Sequence, residues 1–152
     1  MNKLTQLIIL IGCIVCPNYL LGQSAGAIRP DTPQAQAFFK HLQQLLKDDD
    51  RSGISHLVKY PLITELHGKK ISIRNRTIFI RNFNAIFSAG IRCAIFGSTE
   101  NDLWADGHGF TVDYAGKFGS IWFDGVRAPN ESNYTYRLIA VNSSSMYKCS
   151  AP

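Results

Sequence analysis

Apolar residues first recur at helical spacing in Ala35, Phe38, Leu42, Leu45 and Leu46, opposite a face rich in Gln and Lys. That period predicts an amphipathic helix over 33–47, with Asp31 or Thr32 as its cap and Pro33 in its first turn. Ile54, Leu57 and Val58 predict a short second helix over 54–59. Tyr60-Pro61 ends it, because the residue before a proline avoids helical geometry. Two strands, 62–66 and 70–74, are expected around a hairpin turn at His67-Gly68-Lys69. Ile78, Phe79, Phe83, Ile86 and Phe87 mark the buried face of a third helix, opened by Asn75 or Thr77 and stopped at Ala89-Gly90. A short helical piece at 91–96 follows.

Beyond Asp102 the pattern changes to strands. Residues 103–112 alternate as one strand, which puts Trp104, Asp106, His108, Phe110 and Val112 on one face. The other face is Leu103, Ala105, Gly107, Gly109 and Thr111, small enough for close approach. Turn-favouring residues fill 113–116, and a second, aromatic-rich strand at 118–123 stops at Asp124-Gly125. A polar loop at 128–134, a last strand at 136–141 and a polar tail at 143–152 complete the chain.

The hairpin holds both tryptophans, Trp104 and Trp122, and the most suggestive polar pair, Asp106 and His108. Polar groups between aromatic side chains are the usual make-up of a ligand site. Trp104, Asp106, His108, Phe110 and Trp122 are therefore the candidate ligand-binding residues. Asp106 and His108 are also the candidate catalytic pair, with the carboxylate orienting the imidazole and the imidazole moving a proton. They supply two metal ligands and no identifiable third, so no metal site is assigned. Asp48 to Gly53 matches half of a calcium loop, but the twelfth position is Lys59 where a bidentate Glu is needed; the run is read as a helix end and the next helix's cap. No nucleophile elbow, zinc-protease helix, C-x-x-C pair or glycine-rich phosphate loop occurs, and no cofactor is expected.

Composition changes the picture in two places. The 152 residues carry a net charge of +5, but the basic residues are scattered rather than striped among aromatics, which argues against a nucleic-acid partner. At the N-terminus, Met1-Asn2-Lys3, an apolar run to Cys16, and Pro17-Asn18 leading to Gly22 have the anatomy of a secretory signal peptide over 1–22. The run is too short to predict a stable membrane span. The product would be periplasmic or secreted. The alternative is a lipid anchor on Cys13, since Leu10-Ile11-Gly12-Cys13 is similar to a bacterial lipobox. Loss of the leader removes Cys13 and Cys16 and leaves Cys93 and Cys149, either as a disulfide or as two separate thiols.

The element order is helix, helix, strand, strand, helix, then three or more strands. It predicts one α+β domain over 33–142, with helices packed on one face of a curved, mainly antiparallel sheet. That order resembles the nuclear-transport-factor-two-like superfamily, whose cone-like fold often turns its mouth into a pocket. Leu57-Val58-Lys59-Tyr60-Pro61-Leu62, Gly68-Lys69, the run from Ile78 to Phe87, Gly119 to Phe123 and Ile139 to Asn142 resemble a group of exported bacterial proteins with no assigned activity. The resemblance implies a fold and a bacterial source, and no particular function. Two classes of function are expected: an exported module binding a small ligand or a protein partner in the pocket, or a cofactor-free hydrolase or isomerase using Asp106 and His108.

Overall fold

The computed structural model describes residues 32–66, 68–106, 108–113, 119–126 and 134–143. The expected leader, the turn at 114–116, the loop at 128–133, the tail beyond 143, His67 and three of the four cysteines lie outside them. Among the described residues no helix is long and apolar enough to cross a membrane.

Helix α1 spans Thr32–Lys47 and buries Ala35, Phe38, Phe39, Leu42 and Leu46, the face expected from its period. Helix α2 is Arg51–Leu57. Its cap is Asp50, whose carboxylate accepts the Gly53 N–H at 2.8 Å, so the acidic run ends one helix and starts the next. Strand β1, Val58–Leu66, begins four residues before the predicted one and passes through Pro61 after a cis Tyr60–Pro61 peptide. Proline is tolerated there because the pairing of β1 with its neighbour shifts register between Val58 and Ile63, leaving its position outside the ladder. Burial pushes the Tyr60 phenol up to about 12, against a smaller opposing pull from Arg76. It remains a hydrogen-bond donor, to the Ser55 carbonyl at 3.2 Å. Strand β2 is Lys69–Ile73, joined to β1 by two residues, with Gly68 at φ +73° where an L side chain would be strained.

The predicted third helix is three. Helix α3 is Arg76–Arg81, α4 is Phe83–Ile86 and α5 is Ala89–Gly97. Asn75 caps the first, as anticipated. Ala89-Gly90 opens a helix instead of closing one, because Ser88 takes the cap position. Four strands follow a 3-10 turn at Glu100–Asp102: β3 Trp104–Asp106, β4 Gly109–Asp113, β5 Gly119–Val126 and β6 Thr135–Ser143.

The sheet runs β2-β1-β6-β5-β4-β3 and is antiparallel except between β1 and β6. With the helices it forms an α+β fold, and the expected element order is found. One apolar cluster joins Phe38, Phe39 and Leu42 of α1 and Phe79, Phe83, Ile86 and Ile91 of the later helices to Phe110, Val112, Ile121, Phe123, Leu138 and Val141 of the strands. The helices therefore cover one face. Asp124-Gly125 does not stop β5, which continues to Val126 paired with β6.

Thr64 interrupts this apolar face. It lies in register between Ile71 and Val141, is fully buried, and its hydroxyl has no hydrogen-bond partner among the described residues. A buried hydroxyl without a partner costs about 1–3 kcal/mol. Thr64→Val keeps the shape and removes the orphan group, so it is expected to stabilise the fold by about 1 kcal/mol. A urea titration with an unchanged slope and a higher midpoint checks this; a lower midpoint contradicts it.

Candidate functional site

The site lies on the sheet face turned away from the helices. Register sets Trp104 of β3 opposite Thr111 of β4, Thr111 opposite Trp122 of β5, and Trp122 opposite Ala140 of β6. Strands are about 4.8 Å apart, so the two indole-bearing backbones stand about 10 Å apart with the short Thr111 between them. They flank a cavity of about 300 Å³ lined by Asp102, Trp104, Thr111, Ser120 and Trp122. This is the lower end of the size range of small-ligand sites.

Each lining group is held locally. Trp122 is half-buried, and its indole N–H donates to Ser120 Oγ at 3.2 Å. The Thr111 hydroxyl donates to the Ile121 carbonyl at 3.0 Å, and the residue is only 6% exposed. Trp104 is 54% exposed, the most exposed large apolar side chain among the described residues. Asp102 closes a capping box: its Oδ2 accepts both the Thr99 N–H at 2.7 Å and the Thr99 hydroxyl at 2.8 Å. Those bonds hold its carboxyl below the usual carboxylate range.

The expected single strand over 103–112 is corrected to a hairpin. Two residues join β3 to β4, and Asp106 pairs with Gly109. The chain reversal puts Trp104 in register with Thr111, and Ala105 with Phe110. Phe110 is thus on the helix-covered face, 1% exposed and stacked on Phe123 at 5.8 Å, and does not line the cavity. Asp106 and His108 are not two same-face strand residues. Asp106 ends β3, its Oδ1 accepts the His108 backbone N–H at 2.7 Å, and His108 stands exposed at the turn. Of the five candidate residues the structure brings Trp104 and Trp122 together and leaves Asp106, His108 and Phe110 outside the lining.

Gly109 makes the reversal possible. Its φ is +135°, and a Cβ there would lie 2.6 Å from the Phe123 carbonyl oxygen. Only glycine allows both the conformation and the approach of β4 to β5. Asp102, Thr111 and Ser120 were missed from sequence. Their signals were the Thr99-x-x-Asp102 capping pattern and the placement of Ser120 two residues before Trp122, on the same strand face.

Cys93, half-buried on α5, is disulfide-bonded, and its partner lies outside the described residues. Among the described residues no group of three His, Cys, Asp or Glu is placed to hold a metal ion. Comparison with protein-family models, curated proteins and solved structures finds no match.

Proposed function

We propose that this protein is an exported module of the nuclear-transport-factor-two-like superfamily that binds a small ligand in the cavity between Trp104 and Trp122. One observation carries the binding reading: the chain's two tryptophans flank one hydroxyl-floored cavity on the face the helices leave uncovered. An indole exposed to 54% gains little from folding, and its position beside a second indole suits a ligand-facing role. Export rests on the anatomy of residues 1–22, and a disulfide at Cys93 fits an oxidising compartment. Superfamily membership rests on the element order, and the proposed partner of Cys93 is Cys149. The hydrolase or isomerase alternative gains no support, because Asp106 and His108 meet at an exposed turn outside the cavity lining.

The test is a small-molecule screen followed by indole emission. Trp104→Ala removes an exposed side chain and is expected to cost within about 0.5 kcal/mol of stability. Ligands that shift wild-type emission and bind at least about tenfold more weakly to Trp104→Ala support the cavity; tenfold corresponds to about 1.4 kcal/mol. Ligands that bind both proteins equally, or a screen with no binder, overturn it.

A further inference from the structure

We infer that the ligand of this cavity is a small organic cation, of the alkylated-ammonium class. The inference rests on the cavity being a ligand site, as proposed above, and adds the chemistry of the occupant.

Charge comes first. Among the five lining residues Asp102 is the one ionisable group. The protein is net basic, yet no Lys or Arg lines the cavity, and among the described residues no basic side chain is paired with Asp102. Its neighbour Glu100 differs, being neutralised by Lys40 at 2.7 Å. The Thr99 bonds keep Asp102 anionic through the neutral range, and both fall on Oδ2, so Oδ1 is left for an incoming group. An anionic ligand would meet this carboxylate with no compensating cation.

The aromatic walls make the second point. Indole faces attract cations more strongly than other side-chain rings, and quaternary ammonium groups are recognised by such faces beside a carboxylate. Trp104 and Trp122 stand on either side of Thr111, so a compact cationic head between them meets indole surface on both flanks.

The third point separates a cation from a neutral polyol such as a sugar. A polyol requires several free, convergent donors and acceptors. Here the Thr111 proton is engaged by the Ile121 carbonyl, and Ser120 Oγ already accepts the Trp122 N–H. What the lining offers freely is ring surface, one negative charge and the single Ser120 hydroxyl proton, too few convergent donors for a polyol.

Because Trp104 and Trp122 are the only tryptophans, indole emission from the full chain reports on this cavity alone. The experiment titrates choline chloride at constant ionic strength, with its neutral carbon isostere dimethylbutanol and with methyl glucoside in parallel. Choline should give a saturable change with a dissociation constant on the order of 1 mM. The isostere should bind at least about tenfold more weakly, a difference of about 1.4 kcal/mol. Asp102→Asn should reduce choline affinity toward that of the isostere while far-UV circular dichroism stays native. Trp104→Phe should retain more affinity than Trp104→Ala, an order that does not depend on the capping box. Equal binding of choline and the isostere, or Trp104-dependent binding of methyl glucoside without choline, overturns the cation inference and leaves the cavity reading intact. No response to choline also overturns it. The cavity reading itself falls only if the wider screen yields no Trp104-dependent binder.

Discussion

Phe83→Ala is expected to lower the unfolding free energy by about 3–5 kcal/mol, the range for removing a buried phenylalanine ring. Phe83 opens α4 and is fully buried. It meets Phe87 at 5.0 Å and the edge of Phe79 at 5.8 Å, so the loss falls on an aromatic triad and not on one contact. Two guanidiniums, of Arg51 and Arg92, lie over its ring at 5.2 and 5.6 Å. Both are also held by Asp49, at 3.0 and 3.5 Å. The ring therefore ties α4 to α2 and α5, and its removal leaves a cavity beneath two cations that small side chains cannot refill. Phe96→Ala is the matched control, since Phe96 on α5 is 44% exposed and its removal should stay within about 0.5 kcal/mol. Urea unfolding of the two variants checks both. Equal midpoints for Phe83→Ala and wild type contradict the packing described.

The same segment shows what the sequence could and could not convey. The buried positions Phe79, Phe83, Ile86 and Phe87 were readable because their spacing is helical, and that spacing survives two breaks in the helix. The breaks were not readable from periodicity. Asn82 interrupts the run with its own side chain, donating Nδ2 to the Ile78 carbonyl at 2.8 Å. Ser88 caps α5, but Ala89-Gly90 after a helical run looks like a stop, and the packing of Ile91 and Ile95 in the core decides for the helix. Likewise α1 was legible because sixteen residues keep one period, whereas β1 began early because nothing local forbids a strand through Pro61 at a register shift.

The site was half legible for a different reason. Strand alternation fixes which residues share a face only while the strand continues. Reading 103–112 as one strand carried the phase across a turn, and the two-residue connection reversed every assignment beyond it. Asp106 pairs with Gly109 across that two-residue connection, and strand alternation alone carries no signal of it. Trp122 shares the cavity with Trp104 because Thr111 of the intervening β4 stands in register with both, which sets the two indoles on one face of the sheet. Thr111, Ser120 and Asp102 were not legible as lining groups, because a hydroxyl or a cap becomes one only once strand register brings it beside the indoles.

Under the proposed Cys93–Cys149 pairing, breaking the bond is expected to cost about 4 kcal/mol, since cross-linking α5 to the C-terminal tail closes a long loop in the unfolded chain. The described fold is compatible with the pairing. Helix α5 packs against β6, which ends at Ser143, and the six further residues to Cys149 extend at most about 20 Å. The remaining cysteines, Cys13 and Cys16, belong to the proposed leader and would be absent from the exported chain. Cys149→Ser and reduction of the wild type should therefore lower the unfolding midpoint by the same amount, and reduction should do nothing further to the variant. Peptide mapping without reductant should recover a fragment joining Cys93 to Cys149. Were reduction to destabilise the wild type while Cys149→Ser did not, Cys93 would be bonded to a leader cysteine. The leader would then be retained, and export with cleavage after Gly22 would be wrong along with the pairing.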